Sequence, residues 1–175
     1  MLAVMLAVLI AGILYVRSPQ DKLVPPTAAP VTTFEECAAG GNPVQESYPP
    51  RCTTKDGKTF TQDIGNEMEL QDIIRSTNPR PYQKVTSPLS LTGTARGTWF
   101  FEAQFSGKIV DDTGQELGVG IITAQGEWMT EEFVPYSGEI VFTTPSTAKG
   151  KLILEKNNPS GLPEHDASLN IPITF

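Results

Sequence analysis

The sequence predicts an all-β fold: an immunoglobulin-like antiparallel β-sandwich of about seven strands, preceded by an N-terminal transmembrane helix and a small cysteine loop. Three observations carry the sandwich. Apolar and polar side chains alternate in short runs over residues 70–175. Clusters of Gly, Pro, Asn and Asp separate those runs. No amphipathic helical period interrupts them. The totals agree, since 175 residues suit one main domain with extras, and 15 prolines with 15 glycines mark turns rather than long helices.

The first element is "MLAVMLAVLIAGILYV", residues 1–16, which carries no charge and no proline before Arg17. As a helix it would span roughly 24 Å, a little short of a ~30 Å hydrocarbon core. A cleaved signal peptide would need a basic leader and small residues at its end, and both are lacking. An uncleaved membrane anchor is the expectation. Arg17 and Lys22 follow the apolar run, so local charge alone would place the C-terminal side in the cytoplasm.

The next elements point the other way. Residues 17–33 hold Pro19, Pro25, Pro26 and Pro30 and few apolar side chains, the composition of an extended spacer. Residues 34–62 contain both cysteines, Cys37 and Cys52, in a polar stretch with turn-forming "GGNP", "YPP" and "KDGK". Too little apolar surface is available there for burial alone to hold a fold. A Cys37–Cys52 disulfide would supply about 3 kcal/mol by restricting the unfolded chain. Such a bond belongs to an oxidising exterior. The expected location is therefore the cell membrane, single-pass, with the C-terminal part extracytoplasmic.

The strands of the main domain follow in order. A short helical turn within residues 63–76 precedes a first strand near "QDIIR". "SPLSLTGTAR" sets Leu89, Leu91, Gly93 and Ala95 on one face, and "TWFFEAQF" sets Trp99, Phe101, Ala103 and Phe105 on another. "ELGVGI" aligns Leu117, Val119 and Ile121. "FVPYSGEIVF" aligns Val134, Tyr136, Ile140 and Phe142. "GKLILEK" and "SLNIPITF" close the set, with "DDTG" at 111–114 as a hairpin turn. Trp99, Phe101, Trp128 and Phe133 are the expected aromatic core.

The formal charge of −7 excludes the basic footprint of a nucleic-acid binder. Two cysteines and one histidine cannot fill a four-ligand zinc site, and no metal or cofactor is expected. His165, in "NNPSGLPEHD", has three readings: general base, metal ligand or solvated turn. Catalysis needs an orienting partner, yet Glu164 and Asp166 diverge from it in extended chain. Calcium needs a regular ligand spacing that "LPEHD" lacks. The turn reading fits every residue. Glu131 and Glu132 diverge in the same way, and Trp99 and Trp128 are better core residues than sugar platforms.

Two resemblances add to this. "PPRCTTKDGKTF" resembles part of a Kazal-type protease inhibitor, which implies an alternative role through the Cys37–Cys52 loop. "SPLSLTGTARGTWFFEAQF", "GEWMTEEFVPYSGEIVF" and "GKLILEKNNPSGLPEHDASLNIPITF" resemble the bacterial immunoglobulin-like domain attached to GerMN domains in spore-germination proteins, over about residues 72–175. That resemblance implies a sandwich outside a cytoplasmic membrane and brings no catalytic residues with it. The expected function is a non-catalytic, membrane-anchored binding or scaffolding module of the bacterial cell envelope, its partner a protein or a glycan. Two loops are the expected contact surfaces, Glu127, Trp128 and Met129 in one, and Asn158, Ser160, Leu162 and His165 in the other.

Overall fold

In the computed structural model of the protein, the described residues are 30–175. The expected anchor, 1–16, and most of the spacer lie outside the described residues. Among the described residues no helix is long and apolar enough to cross a membrane. Thr32–Phe175 forms one compact unit.

The unit begins with α1 (Phe34–Ala39), in a segment where the sequence predicts a loop. Its start is a capping box: the Thr33 hydroxyl accepts from the Glu36 amide, and the Glu36 carboxylate reaches back to the Thr33 amide. The helix is six residues long and has one buried side chain, Cys37. That cysteine is bonded to Cys52, as expected. Cys52 lies in the middle strand of a small antiparallel sheet, β1 (Val44–Gln45), β2 (Arg51–Thr53) and β3 (Thr59–Thr61). The "KDGK" segment makes the β2–β3 turn, with Gly57 at φ 84°. A short α2 (Glu67–Leu70) follows, the helical turn anticipated in residues 63–76.

Seven strands build the main layer: β4 (Ile74–Asn78), β5 (Leu89–Arg96), β6 (Gln104–Asp111), β7 (Glu116–Ala124), β8 (Phe133–Ile140), β9 (Lys149–Glu155) and β10 (Ser168–Thr174). Their order is β10-β9-β6-β7-β8-β5-β4, with every pair antiparallel. The layer folds over at β7, whose ladder to β8 is only Ile122–Ala124 against Tyr136–Gly138. Residues from the two halves then meet inside. Phe105 of β6 packs edge-on to Tyr136 of β8 at 5.2 Å, and Trp99 lies edge-on to Phe105 at 6.5 Å. Gly107 leaves the room that Ile122, Leu154 and Ile140 fill, since a Cβ there would stand 2.8 Å from Ile122 Cδ1. The result is an immunoglobulin-like sandwich.

The two ends of the strand order are tied by one chain segment. Past β4, the Tyr82 amide donates to Pro172 O (2.7 Å), and the Val85 amide to Thr174 O (2.8 Å). Lys84 thereby pairs parallel with Thr174. The outer edge of β10 is covered by this crossing, which removes an open template for aggregation.

Strands β5, β8, β9 and β10 bury the side chains that their alternation predicts, among them Leu89, Leu91, Val134, Tyr136, Leu152, Leu154, Ile171 and Ile173. Two faces differ from expectation. Of the three β7 residues expected inside, only Leu117 is buried; Val119 and Ile121 are more than half exposed, and Ile122 is buried in their place. The β6–β7 register slips between Ile109/Val110, opposite Gly118 and Glu116, so Leu117 is an inserted residue. One insertion reverses the parity of everything after it. In "TWFFEAQF", Gly97–Trp99 turns as a 3-10 helix, and Glu102 and Ala103 take φ of 51° and 61°. The turn buries Trp99, Phe100 and Phe105 and leaves Phe101 40% exposed. Phe133 is not core either; it is half-buried between the guanidinium groups of Arg75 and Arg96.

The "DDTG" turn between β6 and β7 is held by Asp111. Its carboxylate accepts from the Ser146 and Thr113 hydroxyls and from the amides of Thr113 and Gln115. These bonds, the Ser146 hydroxyl foremost, bring its pKa down to about 2. A depressed acid stabilises the fold above its ordinary pKa of 3.8 and stops doing so as pH falls toward about 2. The melting temperature is therefore expected to fall over that interval. In Asp111→Asn it should start lower at neutral pH and lose this part of the acid dependence, as read by a thermal melt at each pH.

Candidate functional site

An open cleft of about 900 Å³ lies between α2, β6 and the connection from β9 to β10. Its walls come from distant parts of the chain. Asn66 and Glu69 lie at α2, Gln104 and Ser106 on β6, Glu155 at the end of β9, and Ser168 at the start of β10. Phe105, Leu70 and Ile121 supply its apolar part.

Each wall is positioned by hydrogen bonds. Asn66 Oδ1 accepts from the Asn170 amide (2.7 Å), and Asn66 Nδ2 donates to Ser168 O (2.9 Å), which fastens α2 against β10. On β6 and β9, Ser106 Oγ donates to Glu155 Oε2 (3.2 Å), and Lys108 Nζ lies 2.5 Å from Glu155 Oε1. The Asn157 amide donates to Trp99 O. These contacts set amide, hydroxyl and carboxylate groups around one opening. Groups of these kinds donate and accept hydrogen bonds.

The 157–166 loop forms one rim, and Asn158 organises it. Its Nδ2 donates to Leu162 O (2.9 Å) and Asp166 Oδ1 (2.8 Å), and its Oδ1 accepts from the Ser160 amide and hydroxyl. The loop ends in a 3-10 turn, Pro163–His165. His165 is exposed there, and its carbonyl accepts from Lys156 Nζ (3.3 Å). The neighbouring Asp166 carboxylate is turned to Asn158. Among the described residues, no group of three or more His, Cys, Asp or Glu side chains could hold a metal.

Of the contact residues expected from sequence, Asn158 lines the cleft. Ser160, Leu162 and His165 stand on the outer part of the same loop, where Leu162 is half-exposed. Glu127, Trp128 and Met129 belong to a separate turn. Glu127 Oε1 accepts from the Met129 amide (2.9 Å), Trp128 packs partly against the core, and Met129 is exposed. Sequence reasoning did not single out Asn66, Glu69, Gln104, Ser106 or Glu155. One signal existed: Ser106 and Glu155 are polar positions beside the buried Phe105 and Leu154 in alternating stretches.

Comparison with known proteins bears on the strands that carry this cleft. No curated protein and no solved structure matches the chain. The Gmad2 family, described as an immunoglobulin-like domain of bacterial spore germination, matches residues 73–161, from the start of β4 into the cleft's rim loop. The resemblance seen in the strand motifs and the folded seven-stranded layer agree with that match, and the chain belongs to this family of immunoglobulin-like domains of bacterial spore germination.

Proposed function

We propose that the protein is a non-catalytic binding module of the bacterial cell envelope, anchored by residues 1–16 and displayed on the extracytoplasmic side. The Cys37–Cys52 bond supports the compartment, because such bonds persist where thiols are oxidised. The proline-containing spacer supports display at a distance from the bilayer. The observation that carries the reading is the cleft: a polar, hydrogen-bonding concavity built partly from the matched residues and rimmed by a loop with its own internal fastening. Its partner is an envelope protein or glycan that presents hydroxyl or amide groups.

The test is retention of solubilised envelope material by the immobilised full chain, beside a Ser106→Trp variant. Ser106 is half-exposed on the outward face of β6, so an indole there obstructs the cleft without entering the core. The wild-type chain should retain a component that the variant loses. Equal retention by both, with both folded, would remove the cleft from the reading.

A further inference from the structure

A second pocket, of about 260 Å³, lies where the cysteine module, α2 and β4 meet. Glu67 stands in it, 7% exposed. One of its carboxylate oxygens, Oε2, accepts from the Tyr48 hydroxyl and lies 3.5 Å from Arg80 Nη2. The other, Oε1, is buried and has no partner among the described residues. Leaving a buried carboxylate oxygen unbonded is costly, and a native fold that keeps one calls for an explanation.

The cations nearby are already committed. Arg80 donates to Ser76 O (2.7 Å) and to the Tyr48 hydroxyl (2.6 Å). Arg75 lies over the Phe133 ring, donates to Gln71 O, and has Asp72 at 3.9 Å. Of the lining residues, Tyr48 and Met68 are 49% and 44% exposed, though they are large and largely apolar. The pocket thus offers an apolar entry and one unused anionic acceptor at depth.

From this juxtaposition we infer that the pocket is a binding site for a primary alkylammonium group of the lysine type. The ammonium sits on Glu67 Oε1, and the aliphatic stem lies along Met68 and Tyr48. Lysine suits the site because its charge is compact and its stem is apolar. A guanidinium suits it less, because fork-to-fork pairing needs both carboxylate oxygens and Oε2 is engaged.

The charge on Glu67 makes the site pH-dependent. Glu67 faces Tyr48 of the cysteine module, Arg75 of β4 and Arg80 beyond it, and its charge reaches Tyr136 of β8. Burial raises the Glu67 pKa, and Arg80 opposes that rise. An ammonium binds the ionised form, so affinity falls as pH drops through the Glu67 pKa.

The test titrates the full chain with n-butylammonium, with n-butanol and n-butyrate as matched probes, and follows backbone amide NMR signals. Saturable shifts at Tyr48, Glu67 and Met68 are expected with the ammonium alone. Glu67→Gln should weaken binding about tenfold, the scale of one charge-assisted hydrogen bond. Met68→Ala changes an exposed side chain, leaves the fold intact and should weaken binding about threefold through the lost stem contact. If Glu67→Gln perturbs the fold, Met68→Ala and the loss of affinity at acid pH decide the matter. Tighter binding of Nα-acetyllysine methylamide than of n-butylammonium assigns the group to a peptide, and equal binding assigns it to a free amine. No saturable shift, unchanged affinity in the folded variants, or tighter binding of n-butyrate overturns the inference.

Discussion

Gly65→Ala is expected to destabilise the fold by about 2–5 kcal/mol, among the largest losses available from a single methyl group. Gly65 sits at φ 76°, where a side chain meets its own carbonyl. It also lies against β10, and a Cβ there would stand 1.9 Å from Asn170 O. That oxygen belongs to the backbone of β10, which is paired along its length with β9, and cannot swing away. The alanine must therefore push α2 off β10 and break the two Asn66 bonds that fasten it. Gly114→Ala is the matched control. It shares a positive φ, 84°, but has nothing within 4 Å of the added carbon. Its expected cost is about 1–2 kcal/mol, from conformation alone. Urea denaturation of both variants separates the two effects; equal midpoints would show that the α2–β10 contact contributes nothing.

Removing the disulfide is expected to cost about 3 kcal/mol, with the loss concentrated in residues 32–62. Cys37 and Cys52 are fully buried and link α1 to the small sheet. The apolar core cluster draws on residues from Ile74 onward and includes none from the cysteine module. Reduction should therefore melt the module and leave the sandwich. Amide hydrogen exchange is the measurement: protection should vanish over α1 and β1–β3 while β5, β6 and β9 keep theirs. Simultaneous loss in both regions would mean that the module is an integral part of the core.

Much of this architecture can be read from the chain because alternation is a local property. β5, β8, β9 and β10 each bury one side of an uninterrupted two-residue repeat, and that repeat is visible in the letters. β7 misleads because an inserted Leu117 inverts the inward face, and nothing local distinguishes that insertion from regular strand. Phe101 misleads for a related reason, since the positive φ at Glu102 and Ala103 is imposed by the surrounding fold on residues that do not announce it. The helix α1 was missed, although Thr33 and Glu36 have the spacing of a capping box. The cleft was not legible. It depends on Asn66 meeting Ser168 and Asn170, and on Ser106 meeting Glu155, pairs that only the strand order brings together.

The central claim is that this cleft is where the module holds its partner. Its most direct measurement is the hydrogen-exchange footprint of whatever envelope component the full chain retains. New protection is predicted over Gln104–Ser106, Glu155–Asn158 and Ser168. Protection confined to the 127–130 turn, or to the 54–58 turn of the cysteine module, would contradict it.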